Sequence, residues 1–174
     1  YDGRGGVPLS NLRQRISASI YLMEPRLLNT GSLTKKSKLL IRREVRHRLK
    51  TIAPFLHIID EPYLVSVKLN KNASNYDSNQ HQYWIVDAYT TSNKYPYSSR
   101  IGTQNSFRYI RNSVKAVVDA YTGSVKLYIS EPTDPIIKGW NKLFPGLFFP
   151  LNTMPSGLRE HLQVPIELFD IQVK

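Results

Sequence analysis

No cysteine occurs among the 174 residues. That absence removes disulfides, thiolate metal ligands and cysteine nucleophiles together, and leaves the chain equally suited to oxidising and reducing compartments. Acid is scarce as well: 13 Asp and Glu stand against 24 Lys and Arg, a formal net charge of +11. A surface so biased gathers polyanions, whether lipid headgroups, nucleic acid or acidic protein. Long apolar runs are also missing. Nothing approaches the roughly 20 residues needed to cross a bilayer, and the apolar stretch Leu143 to Leu151 is broken by Pro145 and Pro150. The opening YDGRGGVPLS lacks the basic start and apolar core of a signal peptide and reads as the middle of something longer.

Catalytic templates fail one after another. The sequence holds no G-x-S-x-G, no P-loop, no H-E-x-x-H and no EF-hand loop. Its four histidines, His47, His57, His81 and His161, are scattered without a pair at ligand spacing. No cofactor is expected.

What remains is ordinarily globular, 41% hydrophobic and 21% charged. The length suits a single domain over residues 1–174, with residues 1–7 and 70–82 flexible. Helical spacing of Leu12, Ile16, Ile20 and Met23 predicts a first helix after Pro8 and Ser10. A longer one is predicted from about Lys35 to Ala53, with Ile41, Val45, Leu49 and Ile52 on one stripe and Pro54 ending it. The period then changes. Tyr63 to Leu69, Tyr83 to Thr91, SVKAVVDAY and SVKLYIS read as strands. Asp134 with Pro135 announces another helix, and Ser156 precedes a short one. The fold class is α+β, a mainly antiparallel sheet of about four strands packed by helices.

Asp-Ala-Tyr-Thr occurs twice, at Asp87 to Thr90 and Asp119 to Thr122. A hairpin centred on Thr122-Gly123 sets Val118 against Leu127, Ala116 against Ile129 and Asp119 against Lys126, leaving one face apolar throughout. The repeat then serves architecture, with Asp119 in a cross-strand ion pair. The rival is chemical: Asp87 and Asp119, with Asp60 and the loop residues Tyr95 and Tyr97, as a metal-assisted enzyme site.

The clearest signal is basic. Eight Lys or Arg fall between Lys35 and Lys50, with Glu44 the only acid and an i,i+4 partner of Arg48. Arg42, Arg43, Arg46 and Lys50 are the candidate residues for an anionic surface. Nucleic acid ranks third as a target, because no RRM, KH or zinc-finger pattern accompanies the charge.

In order along the chain stand GRGGVPL, APFL, EPYLV, WIVDAYTTSNKYPYS, YIRNSVKAVVDAYTGSVKLY, DPIIKGWNKLFPGLF and MPSGLREHLQVPIELFDIQ. These segments closely resemble the hydrophilic soluble region of uncharacterised protein family 0182, large bacterial multi-pass membrane proteins. The Asn-rich segment from Asn70 to Gln82 and HLQVP depart from the usual pattern. The resemblance implies location: a soluble, extracytoplasmic part of a cell-membrane protein whose transmembrane helices lie elsewhere and are its first partner. It brings no activity, cofactor or catalytic residue. The expected role is therefore binding or scaffolding toward anionic lipid headgroups or another protein, rather than catalysis.

Overall fold

Alternation of small and β-branched residues along residues 80–92 and 109–119 lets both faces of a sheet be covered. The computed structural model, which describes residues 5–68, 80–98 and 107–173, is built around such a sheet. It forms two compact units, residues 1–43 and 44–174. Residues 1–4 and 70–79, expected to be flexible, lie outside the described residues. Gln80 to Gln82, expected in the same loop, begin a strand.

In the first unit, β1 (Val7–Pro8) pairs antiparallel with β2 (Lys38–Leu39). Between them lie α1 (Leu12–Leu22) and the single turn α2 (Arg26–Asn29). The Gln14 side chain accepts from the Asn11 amide at 3.2 Å, tying down the start of α1. Met23 ends it in the left-handed region, φ 53°.

The second unit opens with α3 (Val45–Ile52). Its sheet runs β3 (Tyr63–Lys68), β4 (Gln80–Ser92), β5 (Tyr109–Asp119), β6 (Val125–Ile129) and β7 (Phe148–Pro150), in that spatial order. The first four form an antiparallel meander, and β7 joins parallel to β6 after the crossover helix α4 (Pro135–Leu143). The expected α+β class with a mostly antiparallel sheet is found, with one strand more than the four expected. β7 was not read from sequence. Three residues ending in proline make a poor strand pattern, yet proline is tolerated on an edge strand. A 3₁₀ turn at Leu151–Thr153, then α5 (Ser156–Arg159) and α6 (Ile166–Val173), complete the chain.

Each face of the sheet has its own core. On one, Val86, Ala88, Val114, Ala116, Val118 and Leu127 pack with Leu49 of α3 and Ile137 of α4. Phe55 stacks on Trp140 at 4.1 Å and seals that side. On the other, Val65, Val67, Ile85, Val117 and Tyr128 meet Met154 and Leu158.

The hairpin differs from expectation in register but not in face. Val118 lies opposite Val125, Ala116 opposite Leu127 and Val114 opposite Ile129, a shift of two positions from the predicted pairing. A shift of two keeps every side chain on its own face, which is why the apolar row survives it. The loop is five residues long, 120–124. The Asp119 carbonyl accepts from Gly123 N–H at 2.8 Å, Asp119 N–H donates to Ser124 at 2.9 Å, and Gly123 takes φ +70°. Lys126 consequently faces Val117, and the predicted Asp119–Lys126 pair does not form.

Candidate functional site

The basic segment is not one helix. Lys38–Leu39 is strand, Arg42 sits at φ +52°, and α3 begins only at Val45. Glu44 explains the start: its carboxylate accepts from the backbone amides of Arg46, at 2.8 Å, and His47. Those two bonds satisfy donors that a helix N-terminus leaves orphaned. Glu44 is thus a cap rather than the i,i+4 partner of Arg48, and Arg48 Nη1 donates to the Gly123 carbonyl at 2.7 Å. Ile41 drops out of the expected stripe, while Val45 and Leu49 remain on the core side.

The four candidate cations divide. Arg42 and Arg43 are exposed and belong to the first unit, where Arg42 Nη2 donates to the Tyr21 hydroxyl at 3.3 Å. Arg46 and Lys50 belong to the second. Arg46 is half-buried and committed: its Nη2 meets Glu61 at 2.7 Å and the Asp60 carbonyl at 3.1 Å. Lys50 is exposed on the last turn of α3. Burial, and then the charge of Lys50, hold the His57 imidazole below its ordinary pKa.

The two aspartates of the repeat share a face of the sheet but not a site. Asp87 pairs with Lys115 across the β4–β5 ladder, and Asp119 lies opposite Tyr83, four positions away. At 3.3 Å per residue that is roughly 13 Å. Asp87 is buried, as is Lys115; its carboxylate accepts from Lys115 Nζ and, at 2.8 Å, from Asn112 Nδ2. Lys115 also donates to the Gln163 carbonyl at 3.3 Å. Asp119 accepts from the amides of Tyr121 and Thr122 at 2.8 and 2.9 Å and bonds His81 Nε2 at 2.9 Å. Burial raises its pKa, but the turn amides and His81 outweigh burial and hold it below the usual range. Asp60 receives the Tyr89 hydroxyl. Among the described residues no group of three His, Asp or Glu is placed to hold a metal ion.

A third constellation was legible only in part. Asp134 caps α4 as its Asp-Pro sequence predicts, accepting from Ile136 N–H at 3.0 Å. The same fully buried carboxylate also accepts from the Tyr109 hydroxyl at 2.7 Å and from Thr90 and Ser113 at 2.5 Å. Burial alone would raise its pKa, yet the Ser113, Thr90, Tyr109 and Ile136 donors reverse the sign and hold it low. Tyr109, by burial and by donating to that carboxylate, is pushed well above an ordinary phenol. The Tyr95 ring stacks on Tyr109 at 5.2 Å, whereas Tyr97 is fully exposed at φ +58°.

A β-bulge makes this arrangement. Between Ala88 and Thr90 the β4 register advances two positions while β5 advances three, from Val114 to Arg111. The extra residue reverses the facing of everything before it on β5. Tyr109 is thereby turned toward α4, and Asn112 joins Lys115 on the opposite face. Period-2 reading of YIRNSVK puts Tyr109 and Lys115 together, so the sequence offered no signal for the true grouping.

All three arrangements end in closed hydrogen-bonded structure. What stays exposed and charged is the basic surface, with no described helix long and apolar enough to cross a membrane. No solved structure matches the chain. Among curated relatives, a UPF0182 protein of Prochlorococcus marinus (strain MIT 9313) is 60% identical over 174 residues, all of this chain and 18% of its own length. One from Synechococcus sp. (strain CC9311) is 56% identical, covering 19% of that protein. Another, from Synechococcus elongatus (strain ATCC 33912 / PCC 7942 / FACHB-805), is 46% identical over 172 residues and 18% covered. The chain spans about a fifth of the relatives it matches. With residues 1–174 all matched by the family model, it belongs to the uncharacterised protein family UPF0182.

Proposed function

We propose that this region is a non-catalytic docking module of a larger integral membrane protein, outside the cytoplasm, and that it engages anionic lipid headgroups. The carrying observation is the exposed charge from Lys35 to Lys50. Lys35, Lys36, Lys38, Arg42, Arg43 and Lys50 face solvent, and Glu44, the only acid there, is occupied as a helix cap. Each basic residue near an anionic surface contributes about 1 kcal/mol, and the gain is lost with salt. Burial of the Asp87 and Asp134 carboxylates supports a binding role over a catalytic one, because neither is open to solvent.

Arg46 is left out of the substitutions, since its guanidinium already holds the Glu61 carboxylate and the Asp60 carbonyl. The test is co-sedimentation of the 174-residue chain with phosphatidylglycerol vesicles. Arg42→Glu, Arg43→Glu and Lys50→Glu together are expected to abolish binding while leaving the circular dichroism unchanged. Retention of full binding by that triple variant rejects the proposal. Placement outside the cytoplasm rests on the family resemblance. It is tested in the full-length protein by a Thr34→Cys variant and a membrane-impermeant maleimide, for which labelling of intact cells is expected and labelling only after lysis is contrary.

A further inference from the structure

α1 leaves a row of large apolar residues exposed beside the side that it buries. Ala18 and Ser19 are buried, and Arg15, half-buried, donates to the carbonyls of Leu9 at 3.2 Å and Leu33 at 3.0 Å. Leu12, Ile16 and Ile20, one row at i, i+4 and i+8, are 66%, 41% and 72% exposed, and Met23 beyond them is 89% exposed. A helix that serves a core shows the reverse. The same unit places Arg13, Arg26, Lys35, Lys36, Lys38, Arg42 and Arg43 in solvent, with Glu24 its only described acid. Arg42 reaches the Tyr21 hydroxyl near the end of the helix, so one of these cations touches α1 itself. Tyr21 is half-exposed, with an apolar ring and a polar tip of the kind found where lipid meets water.

We infer that α1 lies in the plane of an anionic membrane surface, with Leu12, Ile16 and Ile20 dipped into the boundary between headgroups and acyl chains. Eleven residues span about 16 Å, too short to cross but ample to lie flat. A protein partner would favour an interface core depleted of lysine; the unit that carries this apolar row has seven exposed Lys and Arg against one described acid, a balance that matches phosphate headgroups. The inference rests on the headgroup reading and adds insertion to it.

Because the chain has no cysteine, Ile16→Cys and Asn29→Cys can each carry one environment-sensitive fluorophore on the intact 174-residue chain. With vesicles of phosphatidylglycerol and phosphatidylcholine, the label at Ile16→Cys is expected to shift to the blue while that at Asn29→Cys stays put. In unlabelled chain, Ile16→Ser with Ile20→Ser, which leave the charge unchanged, is expected to weaken binding by about tenfold or more, the scale for two large aliphatic side chains denied burial. Both positions are exposed, Ile20 the more so, and unchanged circular dichroism checks that the fold is kept. Sedimentation with anionic vesicles but no shift and no effect of the serines leaves headgroup binding standing and overturns insertion. Shielding of the Ile16→Cys label before any lipid is added means that protein covers the face, and also overturns insertion. Absence of sedimentation altogether overturns both.

Discussion

Asp134 is the residue on which most of the local structure converges. It gives a carboxylate to two strands, one helix terminus and one phenol at once. Asp134→Ala strands four donors, and equilibrium unfolding in urea is expected to show a loss of roughly 3–5 kcal/mol, the range for breaking a buried charged group's network. Its lowered pKa fixes a pH dependence of definite sign. A carboxylate whose folded pKa lies below its unfolded value of about 3.9 adds stability that is full above that value and lost as pH falls through the folded one. Asp119 adds to the same window. The melting temperature should therefore drop steeply below about pH 4, and Asp134→Asn should flatten that drop. Asp87 and Lys115 test another rule. Removing either partner leaves a buried charge and is expected to cost roughly 3–5 kcal/mol, whereas Asp87→Leu with Lys115→Met together should recover most of it; a double-mutant cycle reads the difference. At this scale the sequence showed that Asp134 caps a helix, because Asp-Pro is a local signal. It could not show Tyr109 arriving, because one bulged residue in β5 overturns the strand's parity.

Among the elements, sheet class and face were legible and register was not. The period-2 spacing of Ala116 and Val118, and of Val125 and Leu127, fixes which residues share a face, and it does so equally well at two registers. The choice fell to Asp119, whose carboxylate holds the turn amides and whose backbone closes a five-residue loop. Gly123 completes that loop at φ +70°, under the Arg48 guanidinium. Gly123→Ala puts a side chain in the left-handed region and a Cβ 2.7 Å from Arg48 Nη1. A loss of roughly 1–2 kcal/mol is expected by thermal unfolding, whereas Gly139→Ala, inside α4 with a Cβ that meets nothing, is expected to gain stability. The basic helix was overextended by eight Lys and Arg that favour helices and by Ile41 falling in phase. Glu44 as a cap, rather than as a side-chain partner, set the true start. The apolar period of α1 was read correctly, but periodicity says that a stripe exists and not what covers it.

The molecule divides between Arg43 and Glu44, and both sheet cores lie wholly after that point. Residues 44–174 alone should accordingly fold with a cooperative transition and β-rich circular dichroism; a broad, uncooperative melt of that fragment would contradict this division. The repeated Asp-Ala-Tyr-Thr belongs to the same unit and does different work in each copy. In the first, Asp87 is a buried ion-pair member, Tyr89 binds Asp60 and Thr90 binds Asp134. In the second, Asp119 and Thr122 shape a turn. Asp87 and Asp134 are buried, Lys and Arg outnumber Asp and Glu by 24 to 13, and the docking role proposed above rests on that imbalance. The most direct measurement is sedimentation of the 174-residue chain with vesicles in which phosphatidylglycerol replaces phosphatidylcholine stepwise, at several salt concentrations. Binding that rises with phosphatidylglycerol and falls as salt is added is the expected result; equal affinity for neutral and anionic vesicles, or none for either, contradicts the account.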